Sequence, residues 1–255
     1  MMNSSEKVIP YKLNYKFNKL DSRDYKFSSS NLQSLKIANN FSLINKVNII
    51  LDQGKLGSCV SNAFCQTINM ISNNSIFMSR LLHYYCGRSI QNLSSLTDSG
   101  LDIREACNII KQYGTSNETL WPYVISKFNV LPPLTTFKNA QTYPSYVYSF
   151  VNQDINSLAT CLQVTNTPII FGISVYSSFI TQQVATTGIV PMPNKKKESN
   201  MGGHCVVMIG YDNNKQLFEC INSWGKKWGK KGVFYLPYAY VLDPTLAGDF
   251  VSLKF

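Results

Sequence analysis

Apolar residues recur at helical spacing from about residue 57 onward. Six positions fall three or four residues apart and form one stripe: Val60, Ala63, Phe64, Thr67, Ile68 and Ile71. This spacing predicts an amphipathic α-helix. The segments Ser79–Ile90 and Asp102–Gly114 predict two more helices, and the aspartate and glycine of the latter suit the two ends of a helix.

After about residue 145 the pattern changes to short runs of β-branched and aromatic residues, separated by turn residues. Such runs predict strands. They cover Thr167–Tyr176, Thr186–Pro193, His204–Asp212, Leu217–Trp224 and Gly232–Pro237. A mostly helical first half and a second half of mostly antiparallel strands predict an α+β protein of two lobes. Residues 1–40 are polar with little apolar periodicity, which indicates an N-terminal extension and not a domain.

Composition narrows the classes of partner. The chain has 255 residues, of which 44% are hydrophobic, so it is long and apolar enough to bury a core. Its formal net charge of +10 is compatible with acidic partners. The basic residues are spread out except for Lys195–Lys197 and the group Lys226, Lys227, Lys230 and Lys231, and no nucleic-acid-binding motif accompanies them. We favour a solvated basic surface and keep nucleic acid, or an acidic substrate, as alternatives for the second group.

The seven cysteines include no Cys-x-x-Cys pair, which argues against a disulfide framework and against a zinc site. The N-terminus lacks the apolar core of a signal peptide, and no stretch reaches the roughly 18 apolar residues that a membrane span needs. We therefore expect free thiols in a reducing intracellular compartment, and neither a metal nor a membrane span.

One cysteine stands out. Cys59 lies where the first predicted helix begins, and the free N–H groups and the dipole of a helix start favour a thiolate. Of the two histidines, His83 lies inside a predicted helix, where a structural role is the usual one, whereas His204 follows two glycines at the start of a strand. A cationic His204 beside Cys59 would lower the thiol pKa further and give an ion pair able to attack a carbonyl carbon.

Two amide side chains fit the same chemistry. Asn222 is suited to hold one imidazole nitrogen so that the other faces the sulfur. The amide of Gln53 and the backbone N–H of Cys59 are suited to donate to an oxyanion, and the glycines at positions 54 and 57 let the loop between them fold back. Taken alone, Cys59 could be an ordinary buried thiol and Asn222 an ordinary turn residue. The prediction of a catalytic site depends on their combination with His204 and Gln53.

The segments "DQGKLGSC" (Asp52–Cys59), "GGHCVVMIGYD" (Gly202–Asp212) and "INSWGKKWGKKGVFYLP" (Ile221–Pro237) resemble the papain family of cysteine peptidases. A fourth segment, Ser99–Tyr123, is similar to a glycine-containing loop, helix and aromatic-Pro-Tyr turn of that family. Leu56 stands where the family usually has a disulfide-forming cysteine. In this respect the chain resembles the disulfide-poor bacterial and giant-virus branch of the family. We therefore expect the protein either inside the cell or associated with a virion.

The resemblance implies a papain-like two-lobed α+β fold with a helical lobe over residues 41–145. Residues 146–255 would form an antiparallel, barrel-like β lobe, with the cleft between the lobes. It implies that Cys59 is the nucleophile, His204 the general base and acid, Asn222 its orienting partner and Gln53 an oxyanion donor. Trp224 would shield the Asn222–His204 hydrogen bond. Gly100, Gly203, Trp224 and Trp228 are the implied substrate-binding residues.

The resemblance also gives the N-terminal extension an expected role. Family zymogens carry a prodomain that runs through the cleft in reverse. We expect residues around Leu20–Phe27 to lie in the cleft and to be removed on activation, the alternative being a disordered tail.

The predicted function is that of a cysteine endopeptidase that acts through a Cys-His-Asn triad and an acyl-enzyme thioester, with no cofactor. A transamidase or acyltransferase that uses the same Cys-His pair is the first alternative. A non-catalytic interaction protein on the peptidase fold is the second.

Overall fold

The structure, a computed structural model, describes residues 11–19, 21–28, 36–90, 97–140 and 146–254. Its helices are α1 (Cys59–Ile71), α2 (Arg80–Ile90), α3 (Ile103–Tyr113), α4 (Leu134–Ala140), α5 (Ile155–Thr165), α6 (Gln182–Thr187) and α7 (Tyr238–Leu242). Its strands are β1 (Asn40–Ser42), β2 (Val147–Phe150), β3 (Ile169–Tyr176), β4 (Asn200–Asp212), β5 (Leu217–Ile221), β6 (Val233–Pro237) and β7 (Ala247–Lys254).

The three helices expected from the apolar spacing are confirmed as α1, α2 and α3. Helix α1 is buried along nearly its whole length because it packs on α2 and α3 on one side and on β4 on the other. Asp102 caps α3 by accepting a hydrogen bond from the Glu105 amide, and Gly114 ends it with a positive φ of 74°. The first turn of α1, which carries Cys59, thus lies between the helical lobe and the sheet.

The β lobe is one antiparallel sheet in the order β2-β7-β3-β4-β5-β6, with β1 paired to β4. Four of the five predicted strands are confirmed within β3, β4, β5 and β6. The fifth, Thr186–Pro193, is wrong: its first residues belong to α6, and Ile189 makes one parallel bridge to Tyr235.

The same segment explains why the sheet does not close into the expected barrel. A barrel requires its first and last strands to pair. Here the outer edge of β6 is occupied, because the Tyr235 N–H donates to the Gly188 carbonyl at 2.7 Å and the Val190 N–H donates to the Tyr235 carbonyl at 3.1 Å. The barrel-like expectation is therefore corrected to an open seven-stranded sheet.

A buried ion pair fastens the loop before α1 to the helical lobe. The Arg80 guanidinium contacts the Glu118 carboxylate at 2.6 Å, and both side chains are about nine-tenths buried. The same guanidinium donates to Asn62 Oδ1 on α1 at 3.0 Å and to the Asp52 carbonyl at 3.3 Å, next to Gln53. One cation thus connects three chain segments around the start of α1.

Glu118→Ala removes the only carboxylate that pairs with Arg80 among the described residues and leaves a buried positive charge uncompensated. We expect the free energy of unfolding to fall by about 3–5 kcal/mol, measured by urea denaturation. Lys215→Ala, which breaks an exposed ion pair with Asp212 at 2.9 Å, is the matched control and should change stability little. Equal effects of the two substitutions would contradict the assigned role of Arg80.

Candidate active site

Cys59 is the first residue of α1 and is fully buried. Backbone N–H groups close to its sulfur, among them those of Val60 and of Cys205 on β4, favour the thiolate form. Because Cys205 follows His204, the start of α1 and the first half of β4 meet at this sulfur. The structure therefore brings the thiol predicted to be the nucleophile next to the strand that carries the predicted base.

Gln53 is fully buried, and the structure fixes the orientation of its amide. Its Oε1 accepts a hydrogen bond from the Ser223 hydroxyl at 2.8 Å, so Nε2 must be the donor end. That nitrogen donates to the Leu56 carbonyl at 3.0 Å and to the carbonyl of Lys12, in the N-terminal segment, at 3.1 Å. One N–H of the Gln53 amide thus holds the loop through Leu56, and the other N–H binds the Lys12 carbonyl of the N-terminal segment.

His204 and Asn222 form the expected pair. His204 Nε2 lies 2.8 Å from Asn222 Oδ1, which also accepts the Ser223 backbone N–H at 2.8 Å. Because Oδ1 is an acceptor, Nε2 carries the proton and Nδ1 is left as the basic nitrogen. Nδ1 is buried and has no hydrogen-bond partner among the described residues.

Trp224 packs on this pair. Its ring centroid lies 5.0 Å from that of His204, at an interplanar angle of 29°, and the side chain is 1% exposed. Trp228 packs edge-on against Trp224 at 5.0 Å and stacks on Phe179 at 5.7 Å. Trp224 therefore covers the imidazole directly, and Trp228 supports Trp224 from behind.

The N-terminal extension, called the arm below, fills the cleft with residues 11–15. The ring of Tyr11 stacks on Trp224 at 4.8 Å and 4°, and the Tyr15 N–H donates to the Gly203 carbonyl at 3.0 Å. Asn14 forms a parallel bridge with Gly203. A Cβ atom at Gly100 would lie 1.9 Å from the Asn14 carbonyl oxygen, so the absence of a side chain there lets the arm approach. The arm thus contacts Gly100, Gly203 and Trp224, three of the four predicted substrate-binding residues.

The expected position of the extension within the cleft is wrong by several residues. Tyr11–Tyr15 lie there, whereas the described part of Leu20–Phe27 runs beside β2. In that part, the Phe27 N–H donates to the Phe150 carbonyl at 2.7 Å. The Asp24 carboxylate forms an ion pair with Arg104 at 2.7 Å. Leu20 itself lies outside the described residues. The physical reason is that residues 21–28 extend the pairing at the sheet edge, while the glycines at positions 57, 100, 172, 202 and 203 make room in the cleft for residues 13–15.

Burial shifts the two titrating groups away from an ion pair. It raises the pKa of the Cys59 thiol to about 11, although the backbone N–H groups around the sulfur act in the opposite direction. Burial also lowers the pKa of His204 to about 4, although the hydrogen bond that His204 donates to Asn222 acts in the opposite direction. With the arm in place, the pair is therefore a neutral thiol and a neutral imidazole at neutral pH.

The remaining predicted features lie elsewhere. His83 is buried between Ser61 Oγ at 2.9 Å and the Ala106 carbonyl at 3.1 Å, as expected for a structural histidine. The lysines at positions 226, 227, 230 and 231 are exposed, and Lys227 borders the same surface hollow as Tyr11 and Trp228. All seven cysteines are buried and have free thiols.

A family model described as papain family cysteine protease matches residues 39–240. The chain belongs to the papain family of cysteine proteases. It is thus a hydrolase, and the family predicted from the motifs is confirmed.

Relatives place this papain-family protease more closely. It is 38% identical over 213 residues to an uncharacterized peptidase C1-like protein of Acanthamoeba polyphaga mimivirus, a match that covers 78% of this chain and 68% of that protein. It is 22% identical over 200 residues to mouse pro-cathepsin H, a match that covers 75% of this chain and 57% of that protein.

Solved structures show the same fold. Xylellain, a cysteine protease from Xylella fastidiosa, has a TM-score of 0.87 and 30% identity, with 97% of this chain and 98% of that chain covered. Digestive procathepsin L 3 of Tenebrio molitor has a TM-score of 0.69 and 21% identity, with 91% of this chain and 74% of that chain covered. The resemblance to a disulfide-poor bacterial and giant-virus branch is thereby confirmed.

Two kinds of feature are absent from the part of the chain that the structure describes. No helix in this part of the protease is long and apolar enough to cross a bilayer. No group of three or more His, Cys, Asp or Glu side chains in it is placed to hold a metal ion.

Three residues that shape this site were not predicted from the sequence. Ser223 fixes the Gln53 amide. Asp98 accepts the backbone N–H of Gly57 at 3.1 Å and pairs with the Lys12 ammonium at 2.9 Å. Asp249 contacts Tyr15 through its carboxylate. Each acts through a contact distant in sequence, which residue spacing does not reveal.

The raised pKa of Cys59 predicts that its thiolate forms only at alkaline pH. Below a pKa of about 11 the thiolate fraction grows about tenfold per pH unit, so the ultraviolet absorbance of the Cys59 thiolate should keep rising from neutral to alkaline pH. The difference in absorbance between the full chain and its Cys59→Ala variant at each pH isolates this residue. A thiolate signal already complete near neutral pH would contradict the neutral pair.

Proposed function

We propose that this papain-family protease is an endopeptidase in which Cys59 is the nucleophile, His204 the general base and acid, and Asn222 its orienting partner. Gln53 supplies an oxyanion donor. The observation that carries the proposal is the Lys12 carbonyl, a peptide carbonyl held by Gln53 Nε2 at 3.1 Å beside the start of α1. A substrate carbonyl in that place would meet a pre-oriented donor without further movement of Gln53.

The groups act in sequence. His204 Nδ1 takes the proton of the Cys59 thiol, and the sulfur forms a bond to the carbonyl carbon, while the charge on the oxygen is stabilised by Gln53 Nε2 and the backbone N–H of Cys59. The carbon–nitrogen bond then breaks, and His204 gives its proton to the leaving amine. Water, deprotonated by His204, attacks the thioester and releases the acid and the thiol. Asn222 keeps Nε2 protonated throughout, so Nδ1 remains the group that exchanges protons.

The path of the arm supports an endopeptidase. Chain continues on both sides of Lys12: Tyr11 lies on Trp224 on one side, and Asn14 and Tyr15 lie along Gly203 on the other. A cleft that accommodates a continuous peptide on both sides of the reacting carbonyl can cleave within a chain. An exopeptidase requires a closed end that recognises a terminus.

In a chain whose arm is loosened by Tyr11→Ala and Tyr15→Ala, Cys59→Ala should abolish hydrolysis of a fluorogenic peptide substrate and labelling by a thiol-directed epoxysuccinyl probe, because both require the sulfur. Cys65→Ala, on the same helix and equally buried, is the matched control and should keep both activities. Product analysis with an added amine acceptor distinguishes hydrolysis from transamidation. Labelling that survives Cys59→Ala, or a product dominated by the added amine, would contradict this assignment.

The proposal includes autoinhibition by the arm. The Lys12 carbonyl of the arm accepts the hydrogen bond of Gln53 Nε2, and the Tyr11 ring covers Trp224. Burial beneath the arm keeps the Cys59 thiol protonated. A protonated thiol is a poor nucleophile. Two ion pairs hold the arm in place, Lys12 with Asp98 at 2.9 Å and Asp24 with Arg104 at 2.7 Å. An enzyme in this state would be silent until the arm is displaced or cut.

Loosening the arm should therefore activate the full chain. Tyr11→Ala combined with Tyr15→Ala removes one half-buried and one buried aromatic side chain, and we expect kcat/KM on a peptide substrate to rise by a factor of about 10 or more. Tyr25→Ala removes the same kind of side chain from an exposed position of the arm (71% exposed) and should have no effect. Unchanged kcat/KM in the double variant would contradict autoinhibition by residues 11–15 and leave the peptidase proposal intact.

A further inference from the structure

A surface hollow of about 370 Å³ opens on the side of the active site that Trp224 covers, and Trp224 and Trp228 are among its lining residues. Tyr11 of the arm also lines it, with its ring stacked on Trp224 at 4.8 Å. Tyr11 is one residue from Lys12, whose carbonyl binds Gln53 Nε2. The hollow is therefore continuous with the cleft, and a peptide that replaces the arm reaches it next to the reacting carbonyl.

Four exposed lysines lie on the loop between β5 and β6, which borders this hollow: Lys226, Lys227, Lys230 and Lys231. Lys227 lines the hollow itself, and no other described residue that lines it is charged. None of the four ammonium groups forms an ion pair with a described carboxylate. The loop thus presents positive charge that the described part of the chain leaves without an acidic partner.

The loop is fixed on both sides of Lys226 and Lys227. The Gly225 N–H donates to a carbonyl of the segment before α1 at 2.9 Å, and the Gly229 N–H donates to a carbonyl of α6 at 2.7 Å. Between these two glycines, the ring of Trp228 is buried and only 8% exposed. The backbone of the two lysines is therefore held beside the hollow, while their side chains extend into solvent.

The carboxylate of Asp52 lies near this surface and offsets part of its charge. A Cβ atom at Gly225 would lie 3.0 Å from Asp52 Oδ2, and the Gly54 N–H donates to Asp52 Oδ1 at 2.8 Å. Asp52 does not line the hollow, and the lysines of the loop outnumber it. The surface around the hollow is therefore net basic.

We infer that this basic hollow selects polypeptide substrates that carry acidic side chains after the scissile bond. The ring of His204, which gives its proton to the leaving amine, lies against Trp224, so the part of the substrate that follows the scissile bond leads into the hollow. Carboxylates complement the lysines of the loop in charge, and a peptide is the favoured occupant because the hollow continues the cleft. This inference rests on the proposed function, because it assigns the leaving side from the role of His204.

The test uses the chain with Tyr11→Ala and Tyr15→Ala, which opens the hollow. Internally quenched peptides carry Glu-Glu, Gln-Gln or Lys-Lys directly after the scissile bond, and a second set carries the same pairs before it. Since each exposed ion pair contributes up to about fivefold, we expect kcat/KM to be about tenfold higher for Glu-Glu than for Lys-Lys after the bond. The ratio should approach one in about 1 M salt, because added ions screen exposed charges.

Lys226→Glu combined with Lys227→Glu is the decisive variant, and the ratio of kcat/KM for Glu-Glu to that for Lys-Lys is taken within each enzyme. We expect the ratio to invert in favour of Lys-Lys. Lys111→Glu combined with Lys138→Glu changes the net charge equally at exposed positions of α3 and α4 and should leave the ratio as it was. Equal ratios in the decisive and control variants would overturn the inference.

A peptide amide with a small neutral leaving group reports hydrolysis without a side chain in the hollow. If the opened chain hydrolyses it but shows no acidic preference after the scissile bond, or shows one only before it, the inference is wrong and the peptidase proposal stands. Binding of a single-stranded DNA oligonucleotide through Lys226 and Lys227, without an acidic preference, would overturn it in favour of a nucleic acid. Absence of hydrolysis of every substrate would contradict the peptidase proposal and the inference together.

Discussion

The orientation of one buried amide determines the geometry of this active site. Gln53 is held at its oxygen by Ser223 from the β lobe and at its nitrogen by the Leu56 carbonyl in the loop before α1. Its second N–H is therefore left to face the cleft. Since a fully buried amide cannot turn without losing both bonds, the donor is in place before any carbonyl arrives. The ion pair of Arg80 with Glu118 steadies the same loop from the helical side.

The arm occupies the groups that, in the proposed function, bind the substrate. It offers Gln53 a carbonyl, gives Trp224 an aromatic partner and excludes water from Cys59 and His204. Exclusion of water is what separates the pKa values of the thiol and the imidazole in the unfavourable direction. In the proposed autoinhibition, occupation of the cleft and suppression of the nucleophile are two consequences of one contact surface, and displacement of the arm would reverse both.

Four residues were identifiable as candidates from the sequence because they lie in short motifs that can be read without knowledge of the fold, and the structure brings them together: Cys59, His204, Asn222 and Gln53. Helices with one apolar face were also predictable. The strand predicted over Thr186–Pro193 is wrong, because the first of its β-branched residues belong to helix α6 and Ile189 makes only one bridge, to Tyr235. The position of residues 11–15 could not be predicted, because their burial depends on the cleft that they fill and not on an apolar periodicity. The role of Asp249 could not be predicted either, because its carboxylate contacts Tyr15 only in the folded protein.

The central claim, that the sulfur of Cys59 forms an acyl-enzyme, is tested most directly by trapping that species. The chain with Tyr11→Ala and Tyr15→Ala is mixed with a peptide ester, quenched in acid within the first turnover and analysed by intact mass and peptide mapping. The account predicts an added acyl mass on the peptide that contains Cys59, which disappears as hydrolysis proceeds. Turnover of the ester without any adduct, or an adduct on one of the other six cysteines, would contradict it.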